Sequence, residues 1–198
     1  MMSRQNRSNR LLSRCLLRGR LLLLLAAFAG SANATMVNES KVMNNWQEWK
    51  TVGKAQLSIL FFDVYNSTFL SPNGRYNLSG DVSPHPLALS IEYQRSISQA
   101  QLLEATYEQW LKLGYDKGQA RLWINELATI FPNVKQGHRL TYITNGQSGL
   151  FVYSPSAATS RQLGIINSES LNDAFLSIWL SPKTEYSDLR KDLIGANK

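Results

Sequence analysis

The alternation of apolar and polar positions indicates β-structure in the first half of the chain. The segment 54–70 (KAQLSILFFDVYNSTFL) is rich in β-branched and aromatic residues, which predicts one long strand or two bent ones before turn residues at 71–74. The segment 87–94 alternates strictly, with its larger apolar residues on one side: Leu87, Leu89, Ile91 and Tyr93. This pattern predicts a sheet with one covered face and one wet face.

Two amphipathic helices are predicted next, and each has a start signal. Ser98 and Gln101 have the spacing of a capping box, and Gly114 marks the end of the first helix. Asp116 and Gln119 repeat the start signal before the second helix. The apolar stripes of the two helices are Leu103, Tyr107, Trp110 and Leu111, and then Trp123, Ile124, Leu127 and Phe131. Each stripe must cover an apolar surface.

Strands and helices then occur a second time. Strand character returns at 139–144, and NGQSG at 145–149 predicts a hairpin with 150–154. A shorter extended piece at 161–166 precedes two helices, the first capped by Ser170 and Asp173 and the second running from Ser187 to Gly195. This order predicts an α+β fold, an open-faced β-sandwich in which a helical layer covers one side of an antiparallel sheet.

The first 34 residues have the three parts of a secretory signal peptide. Six arginines precede a ten-residue apolar run at 21–30, and Ala32 and Ala34 form an A-x-A cleavage site. Ten apolar residues are too few to span a membrane, and no later segment is longer. We expect cleavage after Ala34, a periplasmic or secreted product without a transmembrane segment, and a single domain at 35–198.

The distribution of charge changes the meaning of the net charge. A formal charge of +7 would suggest an anionic partner. Without the six N-terminal arginines, however, the 21 basic residues fall to 15, against 14 acidic residues. We therefore predict no nucleic-acid partner. Cys15 is the sole cysteine, so residues 35–198 can form no disulfide, thiolate metal site or cysteine nucleophile.

The sequence contains none of the standard catalytic or metal-binding motifs. Neither His85 nor His138 has a second histidine or carboxylate at a metal-ligand spacing. The stretch at 146–149 (GQSG) has Leu150 where G-x-S-x-G needs glycine, and it falls in a predicted hairpin. We predict no catalytic residue, no metal and no cofactor.

Five residues are candidates for binding a small ligand. Tyr65, Tyr107 and Trp110 could line an apolar pocket, although core packing is the commoner role of such side chains. Lys54 could anchor a carboxylate, although a lysine at the start of a strand is usually a solvated edge charge. Asp63 has bulky apolar neighbours, so it either points to the wet face or is retained for a purpose.

Several pieces of the chain, in this order, resemble the chalcone isomerase-like proteins, in particular their exported bacterial branch. The pieces are VGKA at 52–55, LFFDVYNSTFL at 60–70, PLALSIEY at 86–93, WLKLG at 110–114, and FLSIWLSP at 175–182 with LRKDLIG at 189–195. The resemblance covers about residues 45–195. It implies an open-faced sandwich with a cleft between the sheet and the helical layer, in agreement with the pattern above.

The resemblance to the family does not extend to its isomerase residues. The plant isomerases use an arginine and a threonine near the first long strands, and a tyrosine and an asparagine on the helix that carries W-x-x-L-G. The two helix positions correspond here to Ser98 and Ala105, and the two strand positions fall near Lys54 and Asp63. A lysine lacks the planar fork of arginine, and alanine cannot donate a hydrogen bond. The isomerase constellation is therefore missing.

Three functions remain open. The first is a non-catalytic exported protein that binds a small apolar or fatty-acid-like ligand in the cleft, with Lys54 and Tyr65 as polar anchors. The second is an isomerase or lyase of altered chemistry, in which Asp63 is the general base toward a substrate held by Lys54. The third is an envelope scaffold, which would have a filled cleft and an exposed apolar patch.

Overall fold

A computed structural model describes residues 45–59, 62–77 and 80–197 of the 198-residue chain. The predicted signal peptide and its cleavage site lie outside these residues. The described residues form a six-stranded antiparallel sheet and four α-helices, in the predicted order of strands, two helices, strands and two helices. The α+β open-faced fold is therefore confirmed.

The strands follow one another across the sheet in chain order, and each is antiparallel to its neighbours. The segment 54–70 contributes two strands of a hairpin. The strands are β1 (Lys50–Ile59), β2 (Phe62–Ser71), β3 (Leu87–Tyr93), β4 (Arg139–Thr144), β5 (Gly149–Ser156) and β6 (Thr159–Ile166).

The helices are α1 (Gln99–Lys112) and α2 (Lys117–Leu127) between β3 and β4, and α3 (Glu169–Leu180) and α4 (Ser187–Leu193) after β6. The predicted capping box of α1 is present: the Ser98 hydroxyl accepts from the Gln101 backbone amide, and the Gln101 side chain accepts from the Ser98 amide. The predicted cap of α3 is wrong. Ser168 caps α3, since its hydroxyl accepts from the amide of Leu171, which is already helical and fully buried.

The inner face of the sheet packs against the helical layer. Helix α3 is buried along nearly its whole length, from Leu171 to Leu180, as expected for a helix at the centre of a layer. Helix α4 lies across β1 at Gly53, where a Cβ atom would overlap the backbone carbonyl oxygens of Asp192 and Leu193. Glycine therefore permits the close contact between the last helix and the first strand.

The outer face of the sheet is not wet throughout, and that prediction is wrong in part. Ala88 is only 1% exposed and Ser90 only 7%. A second apolar cluster covers part of this face, because the 3-10 turn Trp46–Glu48 brings two tryptophans over it. The cluster contains Ala88, Ile143, Leu150 and Val152, against which Trp46, Trp49 and Leu70 pack.

Candidate ligand-binding cavity

A cavity of about 170 Å³ lies between the inner face of the sheet and helices α1 and α3. Its walls are mainly apolar side chains: Leu57 and Val64 from the first hairpin, Ile91 and Leu140 from β3 and β4, and Leu102, Phe175 and Ile178 from the helices. An apolar cavity of about 150 Å³ is large enough to bind benzene. The space is therefore sufficient for a small organic molecule.

The cavity exists because α1 packs mainly on α2 and α3 and makes little direct contact with the sheet. The face of α1 toward the cavity carries Gln101, Leu102, Ala105, Thr106 and Gln109. Successive residues of an α-helix are about 100° apart, so these side chains form one stripe along the helix.

Tyr93 supplies an unusual polar group to this cavity. Its side chain is 4% exposed and lines the cavity, and its hydroxyl makes no hydrogen bond within the described part of the chain. Across the same residues, no fully enclosed side-chain oxygen or nitrogen lacks a partner, so this hydroxyl must be accessible from the cavity. Burial raises the pKa of Tyr93 far above its usual range, which keeps the hydroxyl protonated.

Tyr65 is the cross-strand partner of Tyr93 and supplies a second hydroxyl to the cavity. Trp179 Nε1 donates to Tyr65 Oη at 2.8 Å, so the Tyr65 proton is left without an acceptor in the described structure. Burial raises the pKa of Tyr65, the hydrogen bond from Trp179 opposes the shift, and the nearby hydroxyls of Tyr93 and Tyr186 add to it. The rings of Tyr65 and Tyr93 meet edge to face, with centroids 6.4 Å apart. All three tyrosines line the cavity.

Gln109 lies between these tyrosines and a surface ion pair. Its Nε2 donates to Glu185 Oε1 at 2.5 Å and to Tyr186 Oη at 3.3 Å. Lys112 Nζ pairs with Glu185 Oε2 at 2.9 Å, and the hydrogen bonds from Gln109 and Lys112 hold the pKa of Glu185 below its usual value. Burial raises the pKa of Tyr186 to about 12. The two charges thus neutralise each other, and neither residue lines the cavity.

The five predicted site residues are not brought together. Tyr65 lines the cavity, but Lys54 faces the opposite side of the sheet, because side chains alternate along β1 and Ala55 and Leu57 face inward. Lys54 instead borders a polar depression of about 620 Å³ on the outer face, with Gln56 and Asn66. The prediction that Lys54 and Tyr65 anchor one ligand is therefore wrong.

Tyr107 and Trp110 lie on other sides of α1. Tyr107 is about 160° around the helix from Ala105, and its hydroxyl accepts from Arg121 Nε at 3.3 Å. Trp110 is fully buried, donates from Nε1 to the carbonyl oxygen of Ala174 at 2.7 Å, and packs edge-on against Trp123. Neither lines the cavity, and Trp110 has the structural role that is common for tryptophan.

Asp63 is exposed at the end of the first hairpin. Its carboxylate accepts from Ser58 Oγ at 2.7 Å, and it borders a shallow groove with Gln94 and Arg95. It lines neither the cavity nor the depression that contains Lys54. The hypothesis of an Asp63 general base toward a substrate on Lys54 is therefore wrong, because the two side chains share no site.

The positions matched to the isomerase residues show no catalytic arrangement. The Ser98 hydroxyl caps α1, and Ala105 presents only a methyl group at the cavity mouth. Among the residues that the structure describes, no three histidine, cysteine or carboxylate side chains come together as a metal site. Within the same ranges, no helix is both long enough and apolar enough to cross a bilayer.

The five predicted site residues do not include Tyr93, Gln109 or Tyr186. The alternation in 87–94 correctly placed Tyr93 on the covered face, but a strand pattern does not show whether a hydroxyl has a partner. Gln109 is polar and buried on a helix, which contradicts the apolar stripe that was used to orient α1. A glutamine indicates a site residue only when it is buried, and its burial is known only from the structure.

An antiparallel sheet, a helical layer on one side and an apolar cavity between them define this chain as an open-faced α+β sandwich with an internal cavity. A sequence model for proteins described as chalcone isomerase-like matches residues 34–195. The chain belongs to the chalcone isomerase-like family. It is also 26% identical over 150 residues to a Haemophilus influenzae protein described as uncharacterized, a match that covers 76% of this chain and 70% of that protein.

Proposed function

We propose that this protein binds a small, mainly apolar molecule in the cavity between the sheet and α1 and does not transform it. The observation that carries the proposal is the partner-free hydroxyl of Tyr93 in an apolar cavity. Binding sites for small molecules are typically apolar, with a few polar groups that fix orientation. A hydroxyl kept without a protein partner is available for a ligand.

The composition of the lining supports binding rather than catalysis. The cavity is lined by no aspartate, glutamate, lysine, arginine or histidine of the described residues. The tyrosines remain protonated near neutral pH because burial raises their pKa values, so they donate hydrogen bonds but do not act as bases. General acid–base catalysis would need a group that titrates near the working pH.

The size of the cavity limits the ligand. Its volume of about 170 Å³ is slightly larger than that of a cavity of about 150 Å³ that binds benzene. This volume supports a single ring or a short chain, and a long acyl chain would have to extend past the mouth at Ile59 and Ala105. The cavity can therefore enclose a short fatty-acid-like molecule, or one end of a longer molecule, but not a whole long-chain fatty acid.

We also propose that the protein works outside the cytoplasm. The support is the basic, apolar and small-residue pattern of residues 1–34, together with a family match that begins at residue 34, where cleavage is expected. Cell fractionation and N-terminal sequencing of the mature protein test this. A product that retains Met1 in the cytoplasm would contradict it.

Native mass spectrometry and thermal shift test the binding proposal. We expect a co-purifying small molecule in protein isolated from its own host. Within a panel of short fatty acids and single-ring compounds, a true ligand at 100 times its Kd should raise Tm by about 5–10 °C. If no molecule co-purifies and no member of the panel shifts Tm, the proposal is overturned.

A matched pair of variants locates the binding. Ala105→Trp puts a bulky side chain at the mouth and should abolish the thermal shift. Glu104→Trp adds the same side chain to an exposed position on α1 outside the cavity and should leave the shift unchanged. An equal effect of the two variants would place binding elsewhere.

One observation favours a scaffold as the second candidate. Ile59 is 53% exposed and Phe62 64% exposed, both at the end of the first hairpin, where a partner protein could cover them. The filled cleft expected of a scaffold is not what the structure has. Phe62 does not line the cavity, so replacement of Phe62 by serine should abolish cross-linking to a partner in cells if the scaffold function is correct, and should leave ligand binding unchanged.

A further inference from the structure

We infer that the cavity selects an uncharged ligand whose polar end is a hydrogen-bond acceptor, such as a ketone or ester oxygen, and excludes ionised carboxylates. The inference rests on the proposed function, because it concerns the same cavity. It names the chemical class of ligand, which differs from the acid that the family resemblance led us to expect.

The first step is the arrangement of charge around the cavity. Among the residues that the structure describes, none of the side chains that line it is ionisable near neutral pH. Two lysines discussed above cannot serve as counter-ions, because Lys112 pairs with Glu185 at the surface and Lys54 is on the outer face of the sheet. Leu60 and Phe61, which lie outside the described residues, carry no charge. A carboxylate would therefore be buried without a counter-ion, which is costly.

The second step is the number of hydrogen-bond donors. Among the described residues, the hydroxyl of Tyr93 has no partner, and the hydroxyl of Tyr65 accepts from Trp179 but donates to no group, so both protons can be donated to a ligand. A carbonyl oxygen has two lone pairs and can accept from both tyrosines. Because both hydroxyls stay protonated, the site offers two neutral donors and no positive charge.

The third step is the shape of the site. The two donors lie among apolar side chains, including Ile91, Ile178 and Trp179. A molecule that fills the cavity must place its carbon skeleton against these side chains and its acceptor at the tyrosines. A ligand that is apolar throughout would leave the Tyr93 hydroxyl unpaired, so it should bind more weakly than a ligand of the same shape with an acceptor.

Three probes of nearly equal size separate these possibilities: acetophenone, α-methylstyrene and benzoate. Acetophenone has a carbonyl acceptor, α-methylstyrene has the same shape without one, and benzoate is ionised at neutral pH. Binding to the protein is measured by NMR titration at pH 7. We expect α-methylstyrene to bind more weakly than acetophenone by about 2- to 12-fold for each of the hydrogen bonds that it cannot accept. Benzoate should bind at least tenfold more weakly, and its affinity should rise as the pH falls through its own pKa.

Variants assign the effect to one hydroxyl. Tyr93→Phe keeps the ring and removes the donor, so it should weaken the binding of acetophenone several-fold, whereas α-methylstyrene should bind as tightly as before or more tightly. Tyr107→Phe removes a hydroxyl from the other side of α1 and should change neither. Tyr65→Phe is the second cavity variant and should also weaken acetophenone selectively.

The outcomes distinguish the two proposals. If benzoate binds at pH 7 as tightly as acetophenone, the inference of an uncharged ligand is overturned and the binding proposal stands. If Tyr93→Phe weakens acetophenone and α-methylstyrene equally, the assigned role of the hydroxyl is overturned. If none of the probes binds, the inference is overturned, and the proposed function is overturned with it when the co-purification and thermal-shift tests are also negative.

Discussion

Tyr93 and Tyr142 lie on the same inner face of the sheet, but their hydroxyl groups have different surroundings. Tyr142 donates to Asn172 Oδ1 at 2.7 Å in the buried core, whereas Tyr93 has no partner among the described residues. Removal of a hydroxyl has a cost only where it leaves another buried polar group unsatisfied. The two residues therefore allow the loss of a hydrogen-bonded hydroxyl to be compared with the loss of one that has no partner among the described residues.

We predict that Tyr93→Phe changes the free energy of unfolding by no more than about 0.5 kcal/mol. Tyr142→Phe should lower it by about 1–3 kcal/mol, because Asn172 Oδ1 loses its donor. Chemical denaturation of both variants measures the difference. Equal losses would mean that the Tyr93 hydroxyl has a structural partner after all.

The sequence predicts which face of the sheet a site residue occupies, but it does not predict the hydrogen-bond partners of its side chain. The period-two pattern placed Tyr93 and Leu89 on the covered face, as observed. The same alternation extended through β1 would have placed Ala55 and Leu57 inward and Lys54 outward, so that signal was available and was not used. The free state of the Tyr93 hydroxyl could not be predicted, because it depends on side chains brought close by tertiary packing.

At the scale of elements, Gly53 explains why the first strand and the last helix fit together. The piece VGKA and the piece LRKDLIG were read separately in the sequence, but α4 packs on β1 at this glycine. The backbone carbonyl groups of Asp192 and Leu193 occupy the space that any side chain at position 53 would need. Backbone cannot move aside as a flexible side chain can.

We predict that Gly53→Ala lowers the free energy of unfolding by about 1–3 kcal/mol, the usual cost of overpacking. Lys54→Ala is the control, since this side chain is exposed on the other face and should change stability by no more than about 0.5 kcal/mol. Thermal and chemical denaturation check both. A neutral Gly53→Ala would mean that α4 does not pack against β1 as described.

The orientation of α1 differs in part from the one that its apolar stripe predicts. The stripe of Leu103, Tyr107 and Trp110 predicted one covered face, but the buried residues are Thr106, Gln109 and Trp110. An apolar stripe shows which side of a helix is buried only when the opposing surface is apolar throughout. Here α1 faces other helices on one side and a cavity with polar groups on another, and neither is encoded in the pattern of α1 alone.

At the scale of the whole molecule, a polar network joins three distant segments. Ser83 Oγ donates to the Asp173 carboxylate on α3, and Asn172 Nδ2 donates to Ser83 Oγ at 2.7 Å and to the carbonyl oxygen of Gly146 at 3.2 Å. Burial raises the pKa of Asp173, the hydrogen bond from Ser83 opposes this, and the neighbouring charges of Asp81 and Glu169 add to it. In this network the ionised form of Asp173 is therefore less favourable than it would be in water.

The sign of the pH dependence follows from the direction of that shift. A raised pKa in the folded state means that Asp173 contributes stability below its ordinary pKa, and that this contribution is lost as pH rises through the raised value. We predict that the free energy of unfolding of the wild type falls relative to that of Asp173→Asn as the pH rises above about 3.8. Urea denaturation over a pH series checks this, and parallel curves would contradict it.

The overall architecture was predictable, because the strand and helix signals occur in separate blocks and each block has clear turns. The covering of the outer face was not. Trp46 and Trp49 precede β1 and showed no periodic pattern, so nothing in the sequence placed them over Ala88 and Ile143. Contacts between distant segments of this kind are set by the final packing rather than by local propensity.

The packing of α4 on β1 also sets the order of events during synthesis. Leu193 is made about 140 residues after Gly53. At roughly 5–20 residues per second, a ribosome needs about 7–28 s to cover that distance. Throughout that interval the inner side of β1 has no helix to cover it at Gly53. The nascent chain can therefore build its sheet strand by strand, but its fold closes only when its last helix has left the ribosome.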